Sequence, residues 1–121
     1  MDNEKQIRSL NTQIAFTSAL LFSVSITIYA TMGYKDLLVN PKTSRFNKKY
    51  LYNLGALAAS ISLIVTIYFF IISYERYETD STQENYDYYM ASTLSLLAQS
   101  IRTNTIFKYP YVENLESVDI I

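Results

Sequence analysis

The chain has neither cysteine nor histidine. The first absence excludes disulfides, thiolate metal sites and cysteine nucleophiles; the second removes the commonest general base and metal ligand. Glycine and proline number two each, too few for a turn-rich β fold, so helix is favoured. A net charge of −1 supplies no basic field of the kind that draws nucleic acid, and no nucleic-acid partner is expected. There is no phosphate-cradling glycine loop, and the acidic segment lacks the glycine that an EF-hand needs. The carboxylates fall in a linker and a tail with no base or nucleophile partner beside them. The expectation is a non-enzymatic protein with no catalytic residue, metal or cofactor.

Charge is also missing locally. A mean hydropathy near zero hides two runs with no Asp, Glu, Lys or Arg, Ser9–Tyr34 of 26 residues and Tyr50–Tyr74 of 25. A soluble helix of that length would carry charges on a solvent-facing stripe. About 20 mainly apolar residues at 1.5 Å rise cover the roughly 30 Å hydrocarbon core of a bilayer. Both runs therefore read as transmembrane helices, and the fold class is an all-α integral membrane protein built on a helical hairpin.

In chain order, residues 1–8 extend or cap the first helix. Asp2 and Glu4 offset Lys5 and Arg8, and the run behind them is far longer than the apolar region of a secretory leader. In the first span, 9–34, Ala15, Ala19, Ser23, Thr27 and Thr31 recur every four residues. Small residues on one face let a second backbone approach and let hydroxyls bond across the contact. In the second span, 50–74, Gly55 with Ala59 and Ala58 with Ser62 supply matching small pairs, whereas Ile67–Ile72 is bulky. Helix packing is thus assigned to Ala15, Ala19, Ser23, Thr27, Gly55, Ala59 and Ser62, with the tightest contact expected near Gly55–Ser62. A pore lining is the competing use of the hydroxyls, but neither run holds an ionisable side chain apart from tyrosine.

The connection 35–49 is basic. Lys35, Lys42, Arg45, Lys48 and Lys49 outweigh Asp36, and Asn40-Pro41 breaks the helix. Short Lys/Arg-rich loops stay cytoplasmic, so both ends of the hairpin face the other way. The same five cations are candidate contacts for anionic lipid headgroups. Tyr29, Tyr34, Tyr50 and Tyr52 gather near this loop and Tyr68, Tyr74 and Tyr77 at the far end, as interfacial anchors do.

The segment 75–87 is acidic and breaks at Asp80–Thr82, where Ser81 or Thr82 can cap a new helix with Glu84 in its first turn. A third helix over 86–107 follows. Tyr86, Tyr89, Met90, Thr93, Leu94, Leu97 and Ile101 mark one face, with Ser92, Ser95 and Gln99 opposite. Its uncharged stretch of 14 residues suits an interfacial helix, whereas snorkelling by Arg102 and continuation to Phe107 would make a third, shorter span. Both placements stay open. The tail 108–121 begins with a helix-stopping Pro110 and reads as extended chain able to dock on a partner. The whole forms one membrane domain, with membrane lipid and other membrane subunits, or copies of itself, as expected partners. Small membrane proteins of this build occur as viral envelope components, accessory subunits of organellar complexes, holin-like pore formers, and regulatory or immunity proteins. A structural or assembly role ranks first.

Overall fold

The computed structural model describes residues 3–109, and these form three helices: α1 (Asn3–Val39), α2 (Lys48–Thr79) and α3 (Gln83–Lys108). At 1.5 Å per residue they are about 55, 48 and 39 Å long. Two of them, α1 and α2, are long and apolar enough to cross a membrane. Helix α2 is central, with α1 packed on one side and α3 on the other.

The helix ends follow from local chemistry. Helix α1 runs five residues beyond Tyr34, to Val39, because nothing interrupts it before Asn40-Pro41. The connection is therefore shorter than the 35–49 segment read from charge alone. Asn47 caps α2, its side chain accepting the Tyr50 N–H at 2.8 Å. Phe46, just before the cap, and Leu51, four residues after it, both reach the same point above Gly33, a hydrophobic staple that closes the loop onto α1. Helix α3 starts at Gln83 because the Thr82 hydroxyl caps it, accepting the Asn85 N–H at 3.1 Å. The Asn85 amide also donates to the Asp80 carbonyl at 2.8 Å. That leaves a turn of only Asp80, Ser81 and Thr82 between α2 and α3.

Packing follows a seven-residue period. The covered positions of α1 include Phe16, Ala19, Ser23, Ile26, Ala30 and Gly33, spaced alternately by three and four. Those of α3 include Asn85, Tyr89, Ser92, Leu96, Gln99 and Thr103, in the same rhythm. An average of 3.5 keeps a seam on its neighbour in left-handed helix packing. A strict spacing of four overshoots the 3.6-residue turn and drifts by roughly 40° per step. That is why the expected ridge does not stay in contact: Ser23 is buried and Ala19 half-buried, but Ala15, Thr27 and Thr31 are exposed.

The interior is small and hydroxylic. The fully covered side chains on α1 are Ser23 and Ala30, beside Gly33; on α3 there is Thr103 alone. On α2 they are Leu51, Ala58, Ala59, Val65 and Ser73. Large apolar side chains point away: Leu21 is 68% exposed, Ile64 59% and Ile101 68%. On α3 the face expected from the pattern is split: Tyr89 packs on α2, but the aliphatic members lie on the outer side. Leu94, Leu97 and Ile101 are exposed while Gln99 and Thr103 turn toward α2.

Candidate functional site

Halfway along the molecule, hydroxyls and an amide from both flanking helices converge on α2. The Ser23 hydroxyl lies 2.6 Å from the Ala58 carbonyl oxygen and 2.7 Å from the Ser62 hydroxyl. One residue further, the Ala59 carbonyl receives the Gln99 amide at 3.4 Å and the Thr103 hydroxyl at 3.5 Å, and Gln99 also donates to Thr103 at 3.2 Å. A helix carbonyl already accepts one intrahelical bond, and its second lone pair is free for such a contact. Small side chains at Ala58 and Ala59 are what let the flanking helices come close enough to use it. Among the described residues no buried side-chain nitrogen or oxygen lacks a partner.

These bonds fix the register. Ser23 sits near the middle of the uncharged run 9–34, and Ala58–Ser62 near the middle of 50–74. Gln99 and Thr103 bracket the same level from α3, so Arg102, between them in the chain, stands at the level of Ser60. Arg102 is exposed.

The remaining hydroxyls of α1 turn back on their own helix. Ser25, Thr27 and Thr31 donate to the carbonyls of Leu21, Ser23 and Thr27 at 3.0, 3.1 and 2.8 Å. Such back-bonding satisfies them locally.

Toward the 80–82 turn the contact becomes aromatic. The Tyr89 ring lies 5.7 Å from Phe70, 5.6 Å from Tyr74 and 5.8 Å from Tyr77, and Tyr77 also meets Tyr86 at 5.6 Å. On the α1 side, Phe16 stacks on Tyr68 at 3.9 Å. The bulky half of α2 therefore packs against both neighbours.

At the basic end, the tight glycine is Gly33. A Cβ there would meet Leu51 Cδ2 at 2.5 Å and Phe46 Cδ1 at 3.0 Å, whereas a Cβ on Gly55 would meet nothing within 4 Å. Gly55 itself therefore makes no close approach, although Ala58 and Ser62 in the same stretch take the Ser23 hydroxyl at 2.6 and 2.7 Å. The loop itself is tied to Asp36. The Ser44 hydroxyl donates to its carboxylate at 2.6 Å, the Asn40 amide at 3.2 Å, and Ser44 Oγ accepts the Phe46 N–H at 3.1 Å. The Ser44 bond, then the Asn40 bond, holds the Asp36 carboxyl below its ordinary pKa. Lys35, Lys42, Arg45 and Lys49 are exposed and Lys48 half-buried. The Arg45 guanidinium lies 5.3 Å from the centre of the Phe46 ring. Lys35 and Arg45, with Tyr29, Met32 and Val39, edge an open groove of about 620 Å³.

Among the described residues no three carboxylates cluster in a way that would hold a metal ion. The tail from residue 110 lies outside the described residues. Gly33, Thr103 and the level of Arg102 were not readable as site features from the sequence: Gly33 follows from a three-four spacing masked by the four-residue ridge of α1, Thr103 from the same spacing on α3, where the apolar stripe is more conspicuous, and Arg102 needs the α2–α3 register. No family model, curated protein or solved structure matches the chain.

Proposed function

We propose that the chain is a multi-pass integral membrane protein with three spans and a non-enzymatic structural or assembly role, an accessory subunit whose work is to hold other membrane components. The observation that carries this is the reversal of polarity across the helices. Large apolar side chains such as Leu21, Ile64 and Ile101 lie outward on all three, while the buried contacts are built mainly from Ser23, Ala30, Ala58, Ala59, Ser73 and Thr103, with Leu51 and Val65 the large apolar exceptions on α2. In water such an arrangement would expose the driving force for folding; in lipid, where apolar contact is available everywhere, close packing and interhelical hydrogen bonds hold helices together instead. Helix α3 shares this polarity and runs beside α2 from the Tyr77 level to the Ala59 level, which favours a third span over an interfacial helix.

The basic connection supports a cytoplasmic loop with the N-terminus and the 80–82 turn on the opposite side. Local satisfaction of Ser25, Thr27 and Thr31 supports packing over a pore lining. The absence of native cysteine makes accessibility mapping clean. Single cysteines at Lys5, Thr43, Ser81 and Tyr109 are expected to label in two pairs, 43 with 109 from one side and 5 with 81 from the other. Labelling of 109 together with 81 would remove the third span. Migration as a monomer after gentle extraction, with no neighbour captured by cross-linking in the membrane, would remove the assembly role.

A further inference from the structure

We infer that Arg102 is the docking point for a carboxylate-bearing transmembrane helix of another protein, an inference that rests on the membrane placement proposed above. Gln99 and Thr103 both reach the Ala59 carbonyl, so Arg102 lies at the level of Ser60, within about 3 Å along the axis of the middle of the 50–74 run. Ser23, bonded to Ala58, marks the same level on α1. Three helices thus agree that this arginine stands near half-depth.

A guanidinium at that depth is costly unless it is paired or reaches an interface. The nearest described carboxylates, Asp36 on α1, Glu75 on α2 and Asp87 on α3, are each displaced along their helices from this level by about 20 Å or more, beyond what an arginine side chain can span. Asp36 is also engaged by Ser44 and Asn40. Because no described residue supplies a carboxylate at this depth, a second copy of the chain cannot neutralise the charge through its helices.

Arg102 is neither buried against α2 nor on the outermost line of α3 with Leu94 and Ile101; it stands on the flank between them. Ala91, Ser95 and Ala98 share that flank at the same three-four spacing, and all are exposed. A helix laid there meets small side chains along two turns and then the guanidinium, which presents a planar fork matched to a carboxylate. The occupant is a partner span with a glutamate or aspartate near its middle.

The full chain, reconstituted in phosphatidylcholine vesicles with a fluorophore at Lys108→Cys, tests this against polyleucine transmembrane peptides carrying a central Glu, Gln or Leu. Energy transfer should show the Glu peptide binding at least about tenfold more tightly than the Leu peptide, with Gln between them. Arg102→Leu, which makes the helix easier to insert, should abolish the difference, and Arg102→Lys should keep part of it. Equal binding of Glu and Leu peptides, or a preference that survives Arg102→Leu, overturns the inference. So does Arg102-dependent association between copies of the chain without peptide. Flotation and the depth of a nitroxide at Arg102→Cys separate the two levels of failure. A chain that does not float with the vesicles overturns the membrane placement as well. One that floats with residue 102 at headgroup depth overturns the pairing, the arginine then being held by lipid phosphate, and the side from which residue 109 labels decides whether α3 still crosses.

Discussion

The Ser23 hydroxyl sits 2.6 Å from the Ala58 carbonyl, while the next carbonyl in the chain, Ala59, is taken by α3. Successive carbonyls on a helix point about 100° apart. Two adjacent alanines therefore serve as acceptors for two different neighbours at one level, and the three helices are pinned in a common register.

Removing the α1 pin should loosen that register. Ser23→Ala is expected to cost about 0.6–1.7 kcal/mol, the range for interhelical hydrogen bonds in membranes. Ser23→Leu, which overfills a buried position, should cost about 1–3 kcal/mol. Unfolding in mixed detergent, followed by energy transfer between α1 and α2, reads both. Equal stability of all three proteins would show that this bond does not hold the pair.

The α3 pin is weaker. Its bonds to Ala59 are 3.4 and 3.5 Å long, and Gln99 and Thr103 also satisfy each other. Replacing both with apolar groups of similar shape, Gln99→Leu with Thr103→Val, removes donors and leaves none unpaired, a change that is often nearly neutral. The double variant should lie within about 1 kcal/mol of the parent, whereas Gln99→Leu alone leaves Thr103 with one long bond.

The two glycines should respond in opposite directions. Gly33→Ala places a Cβ against a fully covered Leu51 and the Phe46 ring, and overpacking of that kind costs about 1–3 kcal/mol. Gly55→Ala meets no atom and should gain about 0.5–1 kcal/mol from helix propensity. Thermal denaturation of the two variants in the same detergent distinguishes them.

The loop should depend on acid. Because its two hydrogen bonds depress the Asp36 pKa, its contribution to loop order is fully present above the ordinary carboxylate range. It is lost as pH falls through the lowered folded-state value. Amide exchange at Phe46, whose N–H is bonded to Ser44, should accelerate below about pH 4, where an unperturbed aspartate titrates. Asp36→Asn should abolish that acid dependence. An unchanged acid profile in Asp36→Asn would assign it to another group.

The helices and their stops were readable in the sequence because they rest on local signals: the charge-free runs, Asn40-Pro41, the Thr82 cap with Glu84 behind it. The seams were less readable. Ala15 to Thr31 every four residues is the more conspicuous pattern, yet the contacts run through Phe16, Ala19, Ser23 and Ile26, where large and small residues alternate and no single property repeats. Gly55 beside Ala59 resembled a close-contact pair, but glycine marks proximity only where a neighbour fills the missing Cβ, as at Gly33. The orientation of α3 was unreadable for a different reason. An amphipathic stripe says which residues share a face, while the solvent decides which face is turned inward.

The turn of three residues between α2 and α3 bears on how the protein is made. Helix α3, with glutamine, threonine and arginine in its second half, is a poor candidate to partition into lipid alone. The turn holds it against α2, whose Ala59 carbonyl is the acceptor it needs. If the chain spans the membrane as proposed above, the two are suited to enter it as one unit, the more polar helix carried in by its apolar neighbour.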